Sequence, residues 1–224
     1  DKDQSYVLAV IGTDQLGHCL FPLGDSKKGD VRDEAERRGL RTARKPDSHD
    51  ICFIPDGDTQ GFLVDRIGAQ PGRIVDAATG EQVGEHQGTF TVTIGQRRGL
   101  NLKIPAEDGN PRYVIDVDAK SDTVYVGAVD DLDVWTLSAD HVVWTGPRIG
   151  TQRVDVQAQV RAHHTPVPAR AWFDGRRLHV ELIEPVRGLA RGQSAVLYDG
   201  SRVVGSGRVE STDRTEALPA GRVS

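Results

Sequence analysis

Short runs of β-branched and apolar residues, separated by tight turns, fill the second half of this 224-residue chain. Every second residue of 153–161 is apolar, which predicts a strand with one buried face. Asp174-Gly175 and Asp199-Gly200 each lie between two such runs, and Asp-Gly strongly favours a two-residue β-hairpin turn. Regularly spaced hairpins without helices between them predict a small β-barrel. The apolar positions of the alternating run are Val154, Val156, Ala158 and Val160.

The middle of the chain also has strand character. Thr89–Ile94, Tyr113–Val117 and Thr123–Val126 are rich in β-branched and aromatic residues. The last two runs are joined by a polar turn around Ser121. We therefore predict a small β domain before the barrel.

The first segment has helical patterns. Asp30 is predicted to cap a helix that continues through Arg38 and stops at Gly39. Thr59 is predicted to cap a second short helix. Its expected buried residues are Phe62, Leu63 and Ile67.

These patterns together predict a mainly β chain with short helices at its N-terminal end. We place the helical segment at 1–64, the central β domain at 65–127 and the C-terminal six-stranded barrel at 128–224. The chain contains no methionine and begins at Asp1 in a polar run, so we expect it to be the trimmed tail of a longer protein.

Composition excludes several classes of protein. No apolar run approaches the roughly 20 residues of a membrane helix, and no secretory signal opens the chain. Two cysteines are too few for a disulfide scaffold and favour a reducing cytoplasm. The net charge of −5 hides a basic stretch, since residues 148–191 hold eight arginines against four acidic residues. Arginine suits phosphate contacts, so this stretch is a candidate nucleic-acid surface.

Cys52 is the main candidate for chemistry. Lys45 and His49 precede it and favour a thiolate, whereas Asp47 and Asp50 oppose one. A buried cysteine acting as a small apolar residue is the alternative. The residues alone leave both interpretations open.

Other motifs are weaker. Cys19 follows His18 in an apolar run and is expected to pack, and the histidines have no recognised metal spacing. The Gly-Gln-Arg-Arg-Gly run at 95–99 lacks the ending of a nucleotide phosphate loop. It is either a cationic tip that touches RNA or a solvated turn.

Several motifs in their order and spacing resemble those of the bacterial tRNA-specific 2-thiouridylases. The resemblance covers essentially the whole chain. The motifs are Lys2-Asp3-Gln4-Ser5-Tyr6, Asp47-Ser48 with Ile51-Cys52-Phe53-Ile54, Gly84-Glu85-His86-Gln87-Gly88, Thr93-Ile94-Gly95-Gln96-Arg97-Arg98-Gly99-Leu100 and Gly192-Gln193-Ser194-Ala195-Val196.

The resemblance implies an architecture of three parts. They are an N-terminal ATP-pyrophosphatase domain, a central β domain and a barrel similar to the second domain of elongation factor Tu. It also implies that this chain begins near the end of the first part. The family's phosphate loop and first catalytic cysteine have no counterpart here, so ATP, with Mg²⁺, is expected to bind outside this chain.

By the same resemblance, Cys52 matches the catalytic cysteine that receives sulfur as a persulfide from a sulfur-donor protein. The implied reaction adenylates the O2 atom of the wobble uridine with ATP, and the persulfide sulfur then replaces the activated oxygen. The family's Thr-Gly after Asp-Ser is His49-Asp50 here, which alters the charge near Cys52.

The resemblance also implies a set of tRNA contacts. Arg161 matches a basic contact, but the aromatic residue that usually follows it is Ala162 here. We expect a monomeric cytoplasmic protein with tRNA as its partner. The matched tRNA-contacting residues are Lys2, Asp3, Gln4, Arg161 and Gln193.

Two alternatives remain open from the sequence. The chain could be a stand-alone RNA-binding β module with a structural cysteine. It could also be a redox-sensing protein, which predicts a disulfide between Cys19 and Cys52. For the main hypothesis, we expect this fragment to be inactive alone and to bind tRNA weakly and with strong salt dependence.

Overall fold

The computed structural model describes residues 4–45, 54, 57–106, 108–162 and 164–214. Cys52, Lys2 and Asp3 lie outside these residues. The described part is mainly β, as predicted, with short helices confined to its N-terminal side. None of the described helices has both the length and the apolar character needed to cross a membrane. The helices are α1 (Ser5–Leu8), α2 (Thr13–Leu16), α3 (Lys28–Arg37) and α4 (Thr59–Ile67).

Helix α3 begins earlier than predicted. Its cap position is Lys27, so Asp30 lies in the first turn. There its negative charge interacts favourably with the positive end of the helix dipole. An ion pair joins Glu34 to Arg38, four residues further along the helix. Gly39 has a φ of 68° and ends the helix, as expected.

Helix α4 is capped by Asp58 and not by Thr59. The Asp58 carboxylate accepts a hydrogen bond from the Gly61 backbone N–H at 2.9 Å, which makes Thr59 the first helical residue. The prediction that Ile67 is buried is wrong, since this residue is 50% exposed. The last turn of α4 points this side chain into solvent, while Phe62 and Leu63 are half-buried.

A four-stranded sheet follows, with the strand order β2-β1-β4-β3. Strands β1 and β4 are parallel, and the other two pairings are antiparallel. The predicted strands near Tyr113 and Thr123 are therefore confirmed. The strands are β1 (Gly72–Asp76), β2 (Gln82–His86), β3 (Tyr113–Asp118) and β4 (Thr123–Gly127), and their core contains Ile74, Val83, Leu100, Val114, Val124 and Val126.

The strand predicted at Thr89–Ile94 is wrong. Thr89–Thr91 instead forms a short 3₁₀ turn. The Gly88 carbonyl accepts hydrogen bonds from the Thr91 backbone N–H at 3.0 Å and from the Thr91 hydroxyl at 2.7 Å. A threonine side chain that bonds the local backbone competes with strand formation, despite the residue's β propensity.

The second half forms a closed barrel of six antiparallel strands in the order β10-β5-β8-β7-β6-β9, as predicted. Gly175 and Gly200, with φ of 97° and 60°, make the two predicted hairpin turns. The barrel strands are β5 (Asp133–Trp144), β6 (Val154–Gln159), β7 (Val167–Phe173), β8 (Leu178–Arg187), β9 (Ser194–Asp199) and β10 (Arg202–Asp213).

The barrel interior is the largest apolar core of the described chain. Its buried residues include Val134, Leu178, Val180 and Leu197. The predicted alternation along β6 holds only in its middle, where Val156 and Ala158 are less exposed than Asp155 and Gln157. Val154 at the start of the strand is exposed, and Gln159 at its end is buried together with Ala158 and the following Val160.

Candidate nucleic-acid interface

Helix α1 packs against the outside of the barrel. Ala9, Val196 and Tyr198 form a buried apolar cluster. The partly buried side chains of Tyr6 and Val203 pack against this cluster. Residues almost 200 positions apart in the chain therefore form one small core. This contact joins the N-terminal segment to strands β9 and β10.

Two hydrogen bonds fix α1 on this surface. The Tyr6 hydroxyl donates to the Ser194 carbonyl at 2.8 Å, and the Ser206 hydroxyl donates to the Ala9 carbonyl at 2.7 Å. Burial raises the pKa of Tyr6, although its bond to Ser194 and the nearby Arg161 charge oppose the rise. The Tyr6 hydroxyl therefore keeps its proton and stays a donor at neutral pH.

Gln4 lies at the start of α1 and is exposed. Its carbonyl accepts hydrogen bonds from the Val7 and Leu8 backbone N–H groups, each at 3.1 Å. The backbone of Gln4 is thus held by the helix while its side chain faces solvent. This arrangement allows a contact with a large ligand.

Tyr198 connects α1 to the segment after β6. Its hydroxyl donates to Gln159 Oε1 at 2.9 Å. The same hydroxyl oxygen lies 3.0 Å from the Ser5 hydroxyl and accepts a hydrogen bond from it, because the Tyr198 proton is already used. Gln159 Nε2 in turn donates to the carbonyls of Arg161 at 2.9 Å and Ala162 at 3.4 Å. These polar groups form one continuous chain of hydrogen bonds, which fixes the backbone that carries Arg161.

The Arg161 side chain is folded against the loop between β8 and β9. Its Nη2 donates to the Gly188 carbonyl, and its Nε is buried with no partner among the described residues. Gly188 has a φ of 71°, and a Cβ there would lie 2.9 Å from Arg161 Nη2. Arg161 therefore braces this loop and is not a freely mobile surface cation.

Gln193 closes the same loop, residues 188–193. Its Oε1 accepts a hydrogen bond from the Ala190 backbone N–H at 3.2 Å, and its backbone is paired with Val209. Within the described part of the chain, its amide nitrogen has no hydrogen-bond partner. Gln193 can therefore hold the loop with its oxygen and offer N–H donors to a ligand.

The structure brings three of the five predicted contact residues to one end of the barrel. Arg161 is bonded to Gly188 at the start of the 188–193 loop, and Gln193 ends that loop. Gln4 begins helix α1, which is bonded to Ser194, the residue that follows Gln193. Sequence reasoning missed Gln159 and Tyr198, which hold this arrangement together. The available signal was a tyrosine in an otherwise apolar run, whose buried hydroxyl needs a partner.

The arginine-rich stretch is largely engaged with the protein itself. Arg148 lies 4.6 Å over the Phe173 ring, and Arg161 bonds Gly188 as described above. Most arginines of this stretch can therefore contact phosphate groups, as expected from the sequence, only if their exposed ion pairs with carboxylates first open. Five of its eight arginines pair with carboxylates: Arg153 with Glu181, Arg170 with Asp155, Arg177 with Glu210, Arg187 with Asp130 and Asp133, and Arg191 with Asp116.

Cys19 is less enclosed than its apolar neighbours suggested. It is half-buried and has a free thiol, which donates to the Gln15 carbonyl at 3.3 Å. The adjacent Leu20 and Phe21 are exposed. The expectation that Cys19 packs therefore holds only in part, because its side chain is half-buried while the next two residues face solvent. The Cys19–Cys52 disulfide stays a prediction, because Cys52 lies outside the described residues.

Neither a metal site nor a nucleotide site emerges from the described residues. They contain no group of three His, Cys, Asp or Glu side chains that could hold a metal ion. The run at 95–99 forms a turn without the sequence of a nucleotide phosphate loop. The chemistry of the described site is thus that of a polar surface with amide and guanidinium donors.

Comparison with protein families gives three consecutive matches. Residues 1–56 match the "tRNA methyl transferase HUP domain" model, and residues 60–128 match the "tRNA methyl transferase PRC-barrel domain" model. Residues 134–209 match the "Aminomethyltransferase beta-barrel domain" model. The third range contains most of the six-stranded barrel.

Three curated relatives of this chain share the name tRNA-specific 2-thiouridylase MnmA. The protein from Mycobacteroides abscessus is 52% identical over 92% of this chain and 59% of its own length. The Frankia alni protein is 56% identical over 94% of the chain and 59% of its own length, and the Streptomyces coelicolor protein is 52% identical over 96% and 57%. The chain thus spans somewhat more than half the length of these relatives. On this identity and the three consecutive domain matches, the chain belongs to the tRNA-specific 2-thiouridylase family.

Proposed function

We propose that this protein is a tRNA sulfurtransferase that carries out ATP-dependent 2-thiolation of the wobble uridine, with Cys52 as the carrier of the persulfide. The observation that carries the proposal is the identity of 52–56% to proteins named tRNA-specific 2-thiouridylases over more than nine-tenths of the chain. The grouping of Gln4, Arg161 and Gln193 at one end of the barrel supports it.

The chemistry proposed for Cys52 needs a thiolate. A sulfur-donor protein, such as a cysteine desulfurase or a sulfur relay protein, passes its outer persulfide sulfur to Cys52, and the donor thiol leaves. The outer sulfur of the Cys52 persulfide then forms a bond to C2 of the uridine while the activated C2 oxygen leaves. A second thiol attacks the Cys52 sulfur, which breaks the S–S bond, releases the thiouridine and forms a disulfide.

The residues present do not fit an ATP site. The sequence has no glycine-rich nucleotide phosphate loop, so ATP, Mg²⁺ and the second thiol are assigned to parts of the protein outside these 224 residues. What this chain contributes in the proposal is Cys52 and the grip on tRNA. The 224 residues alone are proposed to be inactive in thiolation.

The proposed tRNA contacts are Lys2, Asp3, Gln4, Arg161 and Gln193. Gln193 offers amide N–H groups, and Arg161 holds the loop from which they project. Such contacts position the nucleic acid on the protein without reading its sequence. We further propose a cytoplasmic monomer with the segment boundaries 1–64, 65–127 and 128–224.

The decisive experiment replaces Cys52 by Ser in the full-length protein that contains this sequence. We expect 2-thiouridine to disappear from tRNA incubated with the variant, a sulfur donor and ATP, as measured by mass spectrometry of digested tRNA. The matched control is Cys19→Ser, which should retain thiolation. Thiolation retained by the Cys52 variant would contradict the catalytic assignment.

A second candidate is an RNA-binding β module with a structural cysteine. The polar surface that exposes Gln4 and the Gln193 amide favours it, because contacts with RNA need neither ATP nor a reactive thiol. This candidate predicts that the full-length protein binds tRNA but forms no 2-thiouridine with any sulfur donor. The same assay therefore separates the two functions.

A further inference from the structure

A second arginine-bearing loop, residues 93–99, lies outside the interface described above. We call it the arginine loop. Its shape is fixed from within, because the Gln96 side chain accepts a hydrogen bond from the Thr93 backbone N–H at 3.0 Å and donates one to the Arg98 carbonyl at 2.9 Å. Gly95 and Gly99 supply the positive φ angles of 86° and 75° that this tight path requires.

The arginine loop is also fastened to the edge of the four-stranded sheet. The Gly95 backbone N–H donates to the Val114 carbonyl at 2.8 Å, and the Val114 N–H donates to the Gln96 carbonyl at 2.9 Å. Val114 itself is fully buried in β3. The loop is therefore a rigid platform on the sheet and not a freely moving turn.

Arg97 and Arg98 project from this platform and are exposed. Within the described ranges, neither guanidinium has a carboxylate within 4.0 Å. Most arginines of the 148–191 stretch, in contrast, are paired with acids. Two adjacent unpaired cations on a rigid loop keep their full attraction for an external anion, since no internal partner must first be released.

The arginine loop borders a groove that leads to the candidate interface. The groove has a volume of about 250 Å³. Its lining comes from Thr93 and Ile94 of the arginine loop and from Ala190 and Arg191 of the 188–193 loop. Asp116 of β3 also lines it, and this carboxylate is paired with Arg191. The groove therefore lies between the first residues of the arginine loop and the 188–193 loop, which ends at Gln193.

We propose that Arg97 and Arg98 bind phosphate groups of the tRNA backbone as the RNA passes from the 188–193 loop along this groove. The inference rests on the proposed function, since it identifies a further part of the same RNA-binding surface. Guanidinium groups bind phosphate oxygens in bidentate fashion, so the contact adds affinity without base specificity. RNA is a polyanion and can pair with both adjacent guanidinium groups, whereas a ligand with a single carboxylate can pair with only one of them.

The test measures tRNA binding by the full-length protein at several salt concentrations. Each lost phosphate contact removes about 0.7–0.9 from the slope of log affinity against log salt, so the R97A/R98A double variant should lose about 1.5. At 0.1 M salt, its affinity should fall at least about tenfold. The R97K/R98K variant keeps both charges and should retain most of the slope, which separates lost charge from misfolding.

Arg41→Ala is the matched control for the loss of an exposed arginine. The Arg41 side chain is exposed, and its guanidinium has no carboxylate partner among the described residues. Arg41 follows helix α3 and belongs neither to the arginine loop nor to the arginine-rich stretch at 148–191. This variant should keep the wild-type slope.

An unchanged slope in R97A/R98A would overturn the inference. If thiolation and tRNA binding by the wild type persist in that case, the proposed function stands and only this loop assignment fails. If the wild-type protein does not bind tRNA at all, both the proposed function and the inference fail.

Discussion

The Tyr198 hydroxyl donates a 2.9 Å hydrogen bond to Gln159 Oε1 in the barrel wall, and this bond joins the surface that holds α1 to the backbone that carries Arg161. Both residues are buried. Because a buried amide without its partner pays the full cost of desolvation, the pair stabilises the fold and also positions the proposed RNA contacts.

The first prediction concerns this hydroxyl. Tyr198→Phe removes only one oxygen and leaves Gln159 Oε1 without its donor, so the free energy of unfolding should fall by about 1–3 kcal/mol. Urea unfolding measures the change. Tyr125→Phe is the matched control, because the Tyr125 hydroxyl has no hydrogen bond within the described chain, and it should be close to neutral. Equal stabilities of the two variants would show that the Tyr198 bond contributes nothing.

The second prediction concerns the glycine beneath Arg161. Gly188→Ala adds a Cβ 2.9 Å from Arg161 Nη2 at a φ of 71°, so it should cost stability through both crowding and backbone strain. Gly200→Ala is the matched control, because Gly200 has a similar φ of 60° and no atom lies within 4 Å of the added Cβ. This control therefore measures the backbone strain without the crowding.

We therefore expect Gly188→Ala to lower the thermal midpoint more than Gly200→Ala, and to weaken tRNA binding where Gly200→Ala does not. Thermal unfolding and a tRNA binding titration provide the two measurements. Equal effects on both would mean that the contact between Arg161 and Gly188 is not important for the loop.

The third prediction concerns pH and the Asp76–Arg112 pair of the small sheet. Arg112 Nε donates to the Asp76 carboxylate at 2.9 Å, and both side chains are largely buried. Burial alone would raise the pKa of Asp76, but the hydrogen bonds from Arg112 and from the Ala78 and Thr79 N–H groups outweigh it and lower the pKa below the ordinary value of 3.8.

A lowered pKa in the folded state means that the ion pair stabilises the fold above pH 3.8 and that this stabilisation is lost as the pH falls further. Asp76→Asn should therefore destabilise the protein by about 3 kcal/mol at pH 7, with a smaller difference from wild type below pH 3.8. Denaturant unfolding across this range measures it. Asp155→Asn, which disrupts the exposed pair with Arg170, should have little effect at either pH.

The barrel could be predicted from sequence because its signals are local. Alternation along 153–161 and the two Asp-Gly turns depend only on neighbouring residues, and they fix where strands begin and turn. The errors arose where side chains compete with the backbone. The Thr91 hydroxyl donates to the Gly88 carbonyl, and a short turn forms where a strand was predicted. Asp58 caps helix α4, the role expected of Thr59.

The candidate site was predictable only in part. The resemblance implied Gln4, Arg161 and Gln193 as tRNA contacts, which stay a prediction, but nothing local in the sequence indicates that Arg161 is bonded to Gly188. The carboxylate partners of the arginine-rich stretch were likewise hidden, since pairs such as Arg191–Asp116 join residues 75 positions apart. Composition reports how many charges a segment has and not which of them are already paired.

The attachment of α1 to the barrel also affects the order of folding. Ser206 and Ala9 are separated by 197 positions, so their bond closes a loop that contains both the small sheet and most of the barrel. Contacts of such long range cost the most chain entropy and are expected to form after local hairpins. The surface that joins Gln4 to the 188–193 loop is then completed only in the last stage, and a half-folded chain would have a barrel without the proposed RNA contacts in place.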